Sequence, residues 1–291
     1  MLSQNDVINV LDETIQEYFE KPIDLLNNGS GAKGESEYII RSKPSYIRTL
    51  QDVAKYIEKN LCLRNEPSEI NILEMGAFLG VTSISLAKAG FSVTAMDIPE
   101  FMTNERLQLR YKRHHIKMLS QNLKTNRIPC EDDKYDVVML CEVLEHLNFN
   151  PLPIIVEINR TLKSGGLLYL SLPNIARLTN RLKLLLGHSI HNPIDDFFAQ
   201  LNGKDNMVVG LHWREYTANE IKYMFEKLGF LTLESYITSD TDFLINSSLR
   251  NAAKKVIYRV MPSLGFHQVH LFRKIKQPHV NFQFCDATQS K

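Results

Sequence analysis

Apolar positions along the chain change their period once. In residues 1–28, Val7, Ile8, Leu11, Ile15, Tyr18 and Phe19 recur at helical spacing and predict an amphipathic helix. The run NNGSGAKGES (27–36) interrupts it as a flexible loop or lid hinge. A second helix is expected over 44–61, opening at Pro44, since proline suits a first turn. From residue 70 onward, short apolar runs alternate with helical segments. INILEMG (70–76), FSVTAMD (91–97), IKMLSQNL (116–123), YDVVMLC (135–141), GGLLYLSLP (165–173), FLTLESYIT (230–238) and QVHLFRKIK (268–276) read as strands. VTSISLAKAG (81–90) and TANEIKYMFEKLGF (217–230) read as helices that close on glycine. Residues 174–213 break the alternation with a candidate helix, ARLTNRLKLLLG, and then a polar loop.

Strands alternating with helices imply βαβ units, so the expected fold class is α/β. Its sheet would be Rossmann-like and mostly parallel, with helices on both faces, N-terminal helices and a cap insertion. The chain of 291 residues is 44% hydrophobic and 23% charged, which excludes a disordered segment and supplies a sizeable core. A net charge of +1 gives no bulk signal for nucleic acid. Cys62, Cys130, Cys141 and Cys285 form no Cys-x-x-Cys pair, so neither a disulfide framework nor a zinc ribbon is indicated. The N-terminus lacks the basic and apolar regions of a signal peptide. No apolar stretch approaches the roughly 20 residues of a membrane span. A cytoplasmic protein of a reducing compartment is the expectation.

Between the first strand and the next helix stands Glu74-Met75-Gly76-Ala77-Phe78-Leu79-Gly80. Glycine lets backbone approach a ligand, and the helix N-terminus beyond it offers unpaired N–H groups. Asp97 closes the next strand, where a carboxylate can accept both hydroxyls of a ribose. The spacing is Glu-x-Gly-x-x-x-Gly, so a pyrophosphate cradle is incomplete, and Glu74 suits a cationic ligand better.

ILEMGAFLG, VTAMDI, YDVVMLCEVLEHL and LKSGGLLYLSLPN, in that order, resemble the successive motifs of class I S-adenosylmethionine-dependent methyltransferases. The resemblance covers roughly residues 40–275 and implies a seven-stranded sheet whose last strand is inserted antiparallel. It divides the chain into an N-terminal helix and lid loop (1–43) and a methyltransferase domain (44–291) with an acceptor-binding insertion at about 174–213. It implies cofactor contacts from Glu74, Gly76, Ala77 and Gly80, from Asp97 and Ile98 at the ribose, and from Asn122 and Leu123 near the adenine. The backbone of Cys141 would lie near the sulfonium. Asn122 stands where many relatives carry an aspartate, although its oxygen can still accept a hydrogen bond.

CEVLEHL offers three readings. Glu142, Glu145 and His146, at i, i+3 and i+4, would share one helical face. The stretch could serve packing alone, with no further role. His146, with Glu142 beside it, could act as a general base. Or Glu142, Glu145 and His146, with His212 from GLHWREYT, could hold Mg²⁺ or Mn²⁺. Glu-x-x-Glu-His is similar to the metal motif of ubiquinone-pathway O-methyltransferases and of small-RNA 3′-end methyltransferases. His114 and His115, in RYKRHH, read as a solvated basic turn, and His188 and His191 as candidates for an acceptor pocket.

The insertion resembles that of methyltransferases from polysaccharide and glycolipid loci, which implies O-methylation of a sugar hydroxyl on a glycan or glycolipid precursor. RNA 2′-O-methylation, a quinone-like small-molecule acceptor and a non-catalytic cofactor-binding scaffold are the alternatives. Arg177, Arg181 and Lys183 flank three leucines, an arrangement that either contacts a membrane surface peripherally or forms an ordinary amphipathic helix.

Overall fold

A computed structural model describes residues 4–26, 32–61, 66–124, 127–201, 210–239 and 256–279. Seven strands form one sheet: β1 (Asn71–Met75), β2 (Ser92–Asp97), β3 (Lys117–Ser120), β4 (Tyr135–Cys141), β5 (Leu162–Pro173), β6 (Phe230–Thr238) and β7 (His267–Lys274). Their order is β3-β2-β1-β4-β5-β7-β6, with β1, β2 and β3 parallel and β6 antiparallel to β7. Besides a helical stretch at 256–260, the α-helices are α1 (Gln4–Glu20), α2 (Lys33–Asn60), α3 (Val81–Lys88), α4 (Pro99–Met102), α5 (Glu105–Arg113), α6 (Leu152–Thr161), α7 (Leu178–Leu185), α8 (Ile194–Leu201) and α9 (Ala218–Lys227). The α/β class and the inserted antiparallel strand agree with the expectation from sequence. Contacts group the described chain into two compact units, one running to Met139 and including Arg160–Leu167, the other comprising Leu140–Asn159 and Leu168–His279.

In the first unit, β1 and β2 are buried along most of their length, as the near-continuous apolar runs require. Val7, Leu11, Ile15 and Tyr18 form the buried stripe of α1, whereas Phe19 is left exposed. The second helix differs from its expected span. It begins at Lys33 and carries Pro44 in its interior. Proline removes one hydrogen bond from such a helix. The buried row Ile39, Leu50, Val53, Tyr56 and Ile57 continues on both sides of Pro44, and that packing holds the helix together. Residues 33–36 are therefore helical, while 27–31 of the expected hinge lie outside the described residues. His114 is not a solvated histidine: its Nε2 lies 2.9 Å from Glu17, which also pairs with Lys88 and Arg113.

The second unit has an aromatic core in which Phe225 stacks on Phe272 at 4.7 Å and meets Phe230 edge-on. Thr217 and Glu220 cap α9 reciprocally. At Gly229, where α9 turns into β6, φ is +89° and a Cβ would overlap the Lys276 carbonyl oxygen, so glycine is required. The insertion holds two helices, α7 and α8, where the sequence suggested one. Residues 202–209 lie outside the described residues.

Candidate functional site

Each unit carries a cluster of buried polar groups. In the first, the chain leaves β1 through a tight turn in which Gly76 (φ 77°), Phe78 (φ 46°) and Gly80 (φ 72°) are all left-handed. A bulky residue rarely adopts that conformation. Phe78 is held there because its amide donates to Asp97 Oδ2 at 2.7 Å and its ring contacts Tyr38 and Phe101. Ile98 N donates to Asp97 Oδ1, also at 2.7 Å. The Gly76 and Ala77 amides both donate to Met96 O, tying the turn to β2. Gly80 rests on Tyr111, and a Cβ there would stand 2.5 Å from the Tyr111 ring.

Glu74, on β1, is buried and accepts a short hydrogen bond from Ser83 Oγ. Burial pushes its pKa up to about 7, against the hydrogen bonds from Ser83 and Thr82 and with help from the Asp97 charge. Burial likewise pushes Asp97 up to about 6, although the Phe78 and Ile98 amides favour its ionised form. Two carboxylates poised this way suit a ligand that brings an ammonium group and hydroxyls. Asn122 is exposed, and its side-chain oxygen accepts from Lys124 N at 2.9 Å, which commits one of that oxygen's lone pairs to a local turn. Leu123 is partly buried beside it.

The second cluster begins at the end of β4. Only Leu144–His146 are helical, as a single 3₁₀ turn. Glu142 precedes that turn at φ 53°, so it does not share a helical face with Glu145 and His146. Its Oε1 accepts from Ser171 Oγ at 3.3 Å and lies 3.7 Å from His267 Nδ1. Glu145 is fully buried, and neither carboxylate oxygen has a hydrogen-bond partner. Burial drives its pKa well above the ordinary value, and the Glu142 and Glu215 charges push the same way. The Glu145 carbonyl accepts from Trp213 N at 2.8 Å, which fastens the 211–215 segment to the 3₁₀ turn.

Both histidines there have a fixed tautomer. His146 Nδ1 faces Leu211 O at 3.0 Å and His212 Nδ1 faces Glu215 Oε1 at 2.9 Å. A carbonyl and a carboxylate only accept, so each Nδ1 carries a hydrogen and Nε2 is the nitrogen left to meet a ligand. Burial lowers the His146 pKa and keeps its imidazole neutral near pH 7. Glu215 is anchored in turn by Arg177 Nη1 at 2.9 Å. One ligating atom from each of Glu145, His146 and His212 lies within 4.8 Å of the others. A buried carboxylate without donors beside two imidazoles whose Nδ1 atoms are already engaged is a donor set that fits a divalent cation, and its outer partners are in place. The structure thus gathers three of the four expected ligands, while Glu142 turns toward His267 and Ser171. Cys141, next to it, is half-buried.

A cavity of about 180 Å³ opens beside His212. Ile175 and Ile190 supply its apolar walls, and Arg177, His191, Asn192 and Glu215 its polar ones. His191 was expected there, whereas His188 is simply exposed. Ser83, Tyr111, Glu215 and His267 were not singled out from sequence. Only Glu215 had a local signal, three residues after His212. The rest are brought in from other elements.

Curated relatives match part of the chain. A ubiquinone biosynthesis O-methyltransferase of Haemophilus ducreyi is 32% identical over 111 residues, 35% of this chain and 45% of that protein. Its namesake from Rickettsia typhi is 30% identical over 141 residues, 48% and 54% of the two chains. The chain therefore spans about half the length of these relatives. Among solved structures, a putative sarcosine dimethylglycine methyltransferase from Galdieria sulphuraria superposes with a TM-score of 0.52 at 17% identity, covering 90% of this chain and 98% of the other. A SAM-dependent methyltransferase from Archaeoglobus fulgidus gives 0.50 at 14% identity, covering 82% and 99%. At such identities these structures speak for the fold. The model of a methyltransferase-domain family matches residues 44–235, a span that takes in the glycine turn, Asp97 and the Glu145–His146 turn, and by that match the chain belongs to the methyltransferase-domain family.

Proposed function

We propose that this protein transfers the methyl group of S-adenosylmethionine to a hydroxyl oxygen of a small ring-bearing acceptor, with a divalent cation held by Glu145, His146 and His212. The observation that carries the reading is the Glu145 carboxylate, buried with no donor to either oxygen and next to two imidazoles whose other nitrogens are already engaged. An uncompensated buried carboxylate is costly, and a cation offsets that cost. When bound, Mg²⁺ or Mn²⁺ would supply the positive charge that makes an acceptor hydroxyl easier to ionise.

The chain's own residues take the following roles. Glu74 and Asp97 hold the ammonium and ribose ends of the cofactor, with Gly76, Ala77, Gly80 and Ile98 lending backbone, and Asn122 and Leu123 at the adenine. Glu215 and the Leu211 carbonyl orient the two imidazoles. Glu142, facing His267, keeps a negative charge beside Glu145. In-line displacement moves the methyl from sulfur to oxygen and leaves the cofactor as the neutral thioether; the hydroxyl proton leaves to solvent while His146 Nε2 holds the cation, and only without a cation would that nitrogen be free to accept it. Positioning supplies much of the acceleration, because a sulfonium is already an activated donor.

A hydroxylated aromatic, quinone-like ring is the favoured acceptor, supported by the likeness to ubiquinone biosynthesis O-methyltransferases. A sugar hydroxyl remains as the second reading, because four of the residues around the cavity beside His212 are hydrogen-bonding or charged besides His212 itself. The test is calorimetric titration of S-adenosylhomocysteine and of Mn²⁺, followed by turnover with catechol-type and sugar-type acceptors. Cofactor binding together with Mn²⁺ binding that disappears in Glu145→Gln is the expected result. Cofactor binding without turnover on any hydroxyl acceptor would move the scaffold reading to first place.

A further inference from the structure

Helices of a soluble domain normally turn their apolar stripe inward. Both helices of the insertion do the reverse. In α8, Ile194, Phe197, Phe198 and Leu201 fall at i, i+3, i+4 and i+7, a single stripe, and all four are exposed, Leu201 to 81%. The polar side of α8 is the side fastened to the protein. Asp196 accepts from the Asn192 amide at 3.2 Å, and Asn192 in turn accepts from His212 N at 3.0 Å. In α7 and just beyond it, Leu182, Leu185 and Leu186 share a face at i, i+3 and i+4, with Leu185 exposed to 80%. That helix is attached through its first turn, where the buried Asn180 donates to Ile175 O and Arg181 Nε to Ala176 O. Residues 181–189 are all exposed.

We propose that α7 and α8 form a docking surface for an anionic lipid bilayer. Three observations select that occupant. The apolar stripes lie on the outer side of both helices, which is the orientation an interfacial helix needs when its apolar face enters the acyl boundary. The charges of α7, Arg181 and Lys183, are basic and stand beside the leucines, while α8 carries Asp195 and Asp196 in its first turn. It is the α7 charges that complement anionic headgroups, and a second copy packed α7 against α7 would set like charges together. Trp213, nearly half exposed and edge-on to Phe197 at 6.4 Å, places an indole at the border of the α8 stripe, where a ring with an apolar body and a polar N–H suits a membrane interface. The chain joining α7 to α8 also contributes Ile190, His191 and Asn192 to the cavity beside His212. A bilayer seated on these helices would therefore lie next to that cavity, a placement suited to an acceptor carried on a lipid tail. Among the described residues no helix is long and apolar enough to cross a membrane, so the attachment is peripheral.

The experiment is vesicle flotation of the full chain with phosphatidylcholine alone and with phosphatidylcholine plus phosphatidylglycerol, at low and high salt. Trp213 is the only tryptophan in the sequence, so its fluorescence reports the same event. The protein is expected to float with the anionic vesicles only, less so at high salt, with a blue shift of its emission. Arg181→Glu with Lys183→Glu should weaken vesicle binding by roughly thirtyfold or more. Leu185→Glu with Phe198→Glu should abolish it while the melting temperature and S-adenosylhomocysteine affinity stay unchanged, since both side chains face water. A wild-type protein that stays unbound with an unshifted emission overturns the proposal. So does light scattering that shows a dimer which Leu185→Glu disperses while vesicles are ignored.

Discussion

His212 and Glu215, three residues apart, are joined by a 2.9 Å hydrogen bond from the imidazole Nδ1 to the carboxylate. That bond fixes which ring nitrogen keeps a lone pair, and the Arg177 guanidinium fixes the carboxylate in turn. Burial alone would raise the Glu215 pKa, but His212 and Arg177 outweigh it and hold it below the ordinary value. Glu215 therefore stays ionised at neutral pH.

If His212 is a ligand oriented in this way, Glu215→Ala should weaken Mn²⁺ binding by about 10–100-fold without removing it. Glu145→Gln should remove it altogether. Calorimetric titration of Mn²⁺ into the two variants checks both, and equal affinities in Glu215→Ala and wild type would refute the orienting role.

Glu145→Gln should also stabilise the metal-free protein at neutral and higher pH, by about 1–3 kcal/mol. The folded pKa of Glu145 is raised, so its favourable contribution is complete below the unfolded value of 4.5 and is lost as pH rises toward the folded value. Urea denaturation across pH should show the wild type losing stability with rising pH and the variant losing less. Added Mn²⁺ should reverse their order.

Cofactor affinity should climb with pH through the window from about 6 to about 7, where Asp97 and then Glu74 ionise. Both pKa values are raised, so free protein in that window carries protons that an ammonium and ribose hydroxyls would displace. Binding should therefore release protons, seen as a calorimetric heat that changes with the ionisation enthalpy of the buffer. Asp97→Ala should weaken S-adenosylhomocysteine by about 1–3 kcal/mol, since the Phe78 and Ile98 amides lose their acceptor as well.

Gly80→Ala should destabilise the protein by more than about 1–2 kcal/mol, the cost of the left-handed backbone alone, because the new methyl also meets the Tyr111 ring. Tyr111→Phe should have the opposite sign, a gain of about 1 kcal/mol, since the Tyr111 hydroxyl is buried without a partner. Thermal melts of the two variants decide the matter, and a destabilised Tyr111→Phe would mean that the hydroxyl is bonded in solution.

Glu17 shows a different pH dependence. Burial would raise its pKa, but the His114 hydrogen bond and charge, with Arg113 and Lys88, bring it down to about 2. Stability from this site is present above the ordinary value of 4.5 and lost as pH falls toward about 2. Glu17→Gln should remove about 1 kcal/mol at pH 7, reduced by salt, with a smaller difference in acid.

Much of the fold was legible because its signals are local. Most strands are apolar runs, the seven being four to twelve residues long, and the turn from Glu74 to Gly80 announces itself through glycines that only a tight left-handed backbone needs. Glu74 and Asp97 were placed correctly on β1 and β2, since a residue's position on a strand follows from the strand alone. Pro44 misled because the helix around it is held by a buried row that continues past it, and that row depends on what α2 packs against.

The amino-acid order thus settled the α/β alternation, the glycine turn and the acids on β1 and β2. It did not settle which of Glu142, Glu145 and His146 come together, because that required Glu142 to leave the helical path at φ 53° and the 211–215 segment to close onto the 3₁₀ turn. Nor did it settle which side of α7 and α8 meets water. A helix's apolar stripe is written in its own residues, but its direction is set by the polar anchors at Asn180 and Asn192; Asn180 bonds nearby Ile175, yet its contact with Glu215 and that of Asn192 with His212 form only when the 211–215 segment has closed onto them.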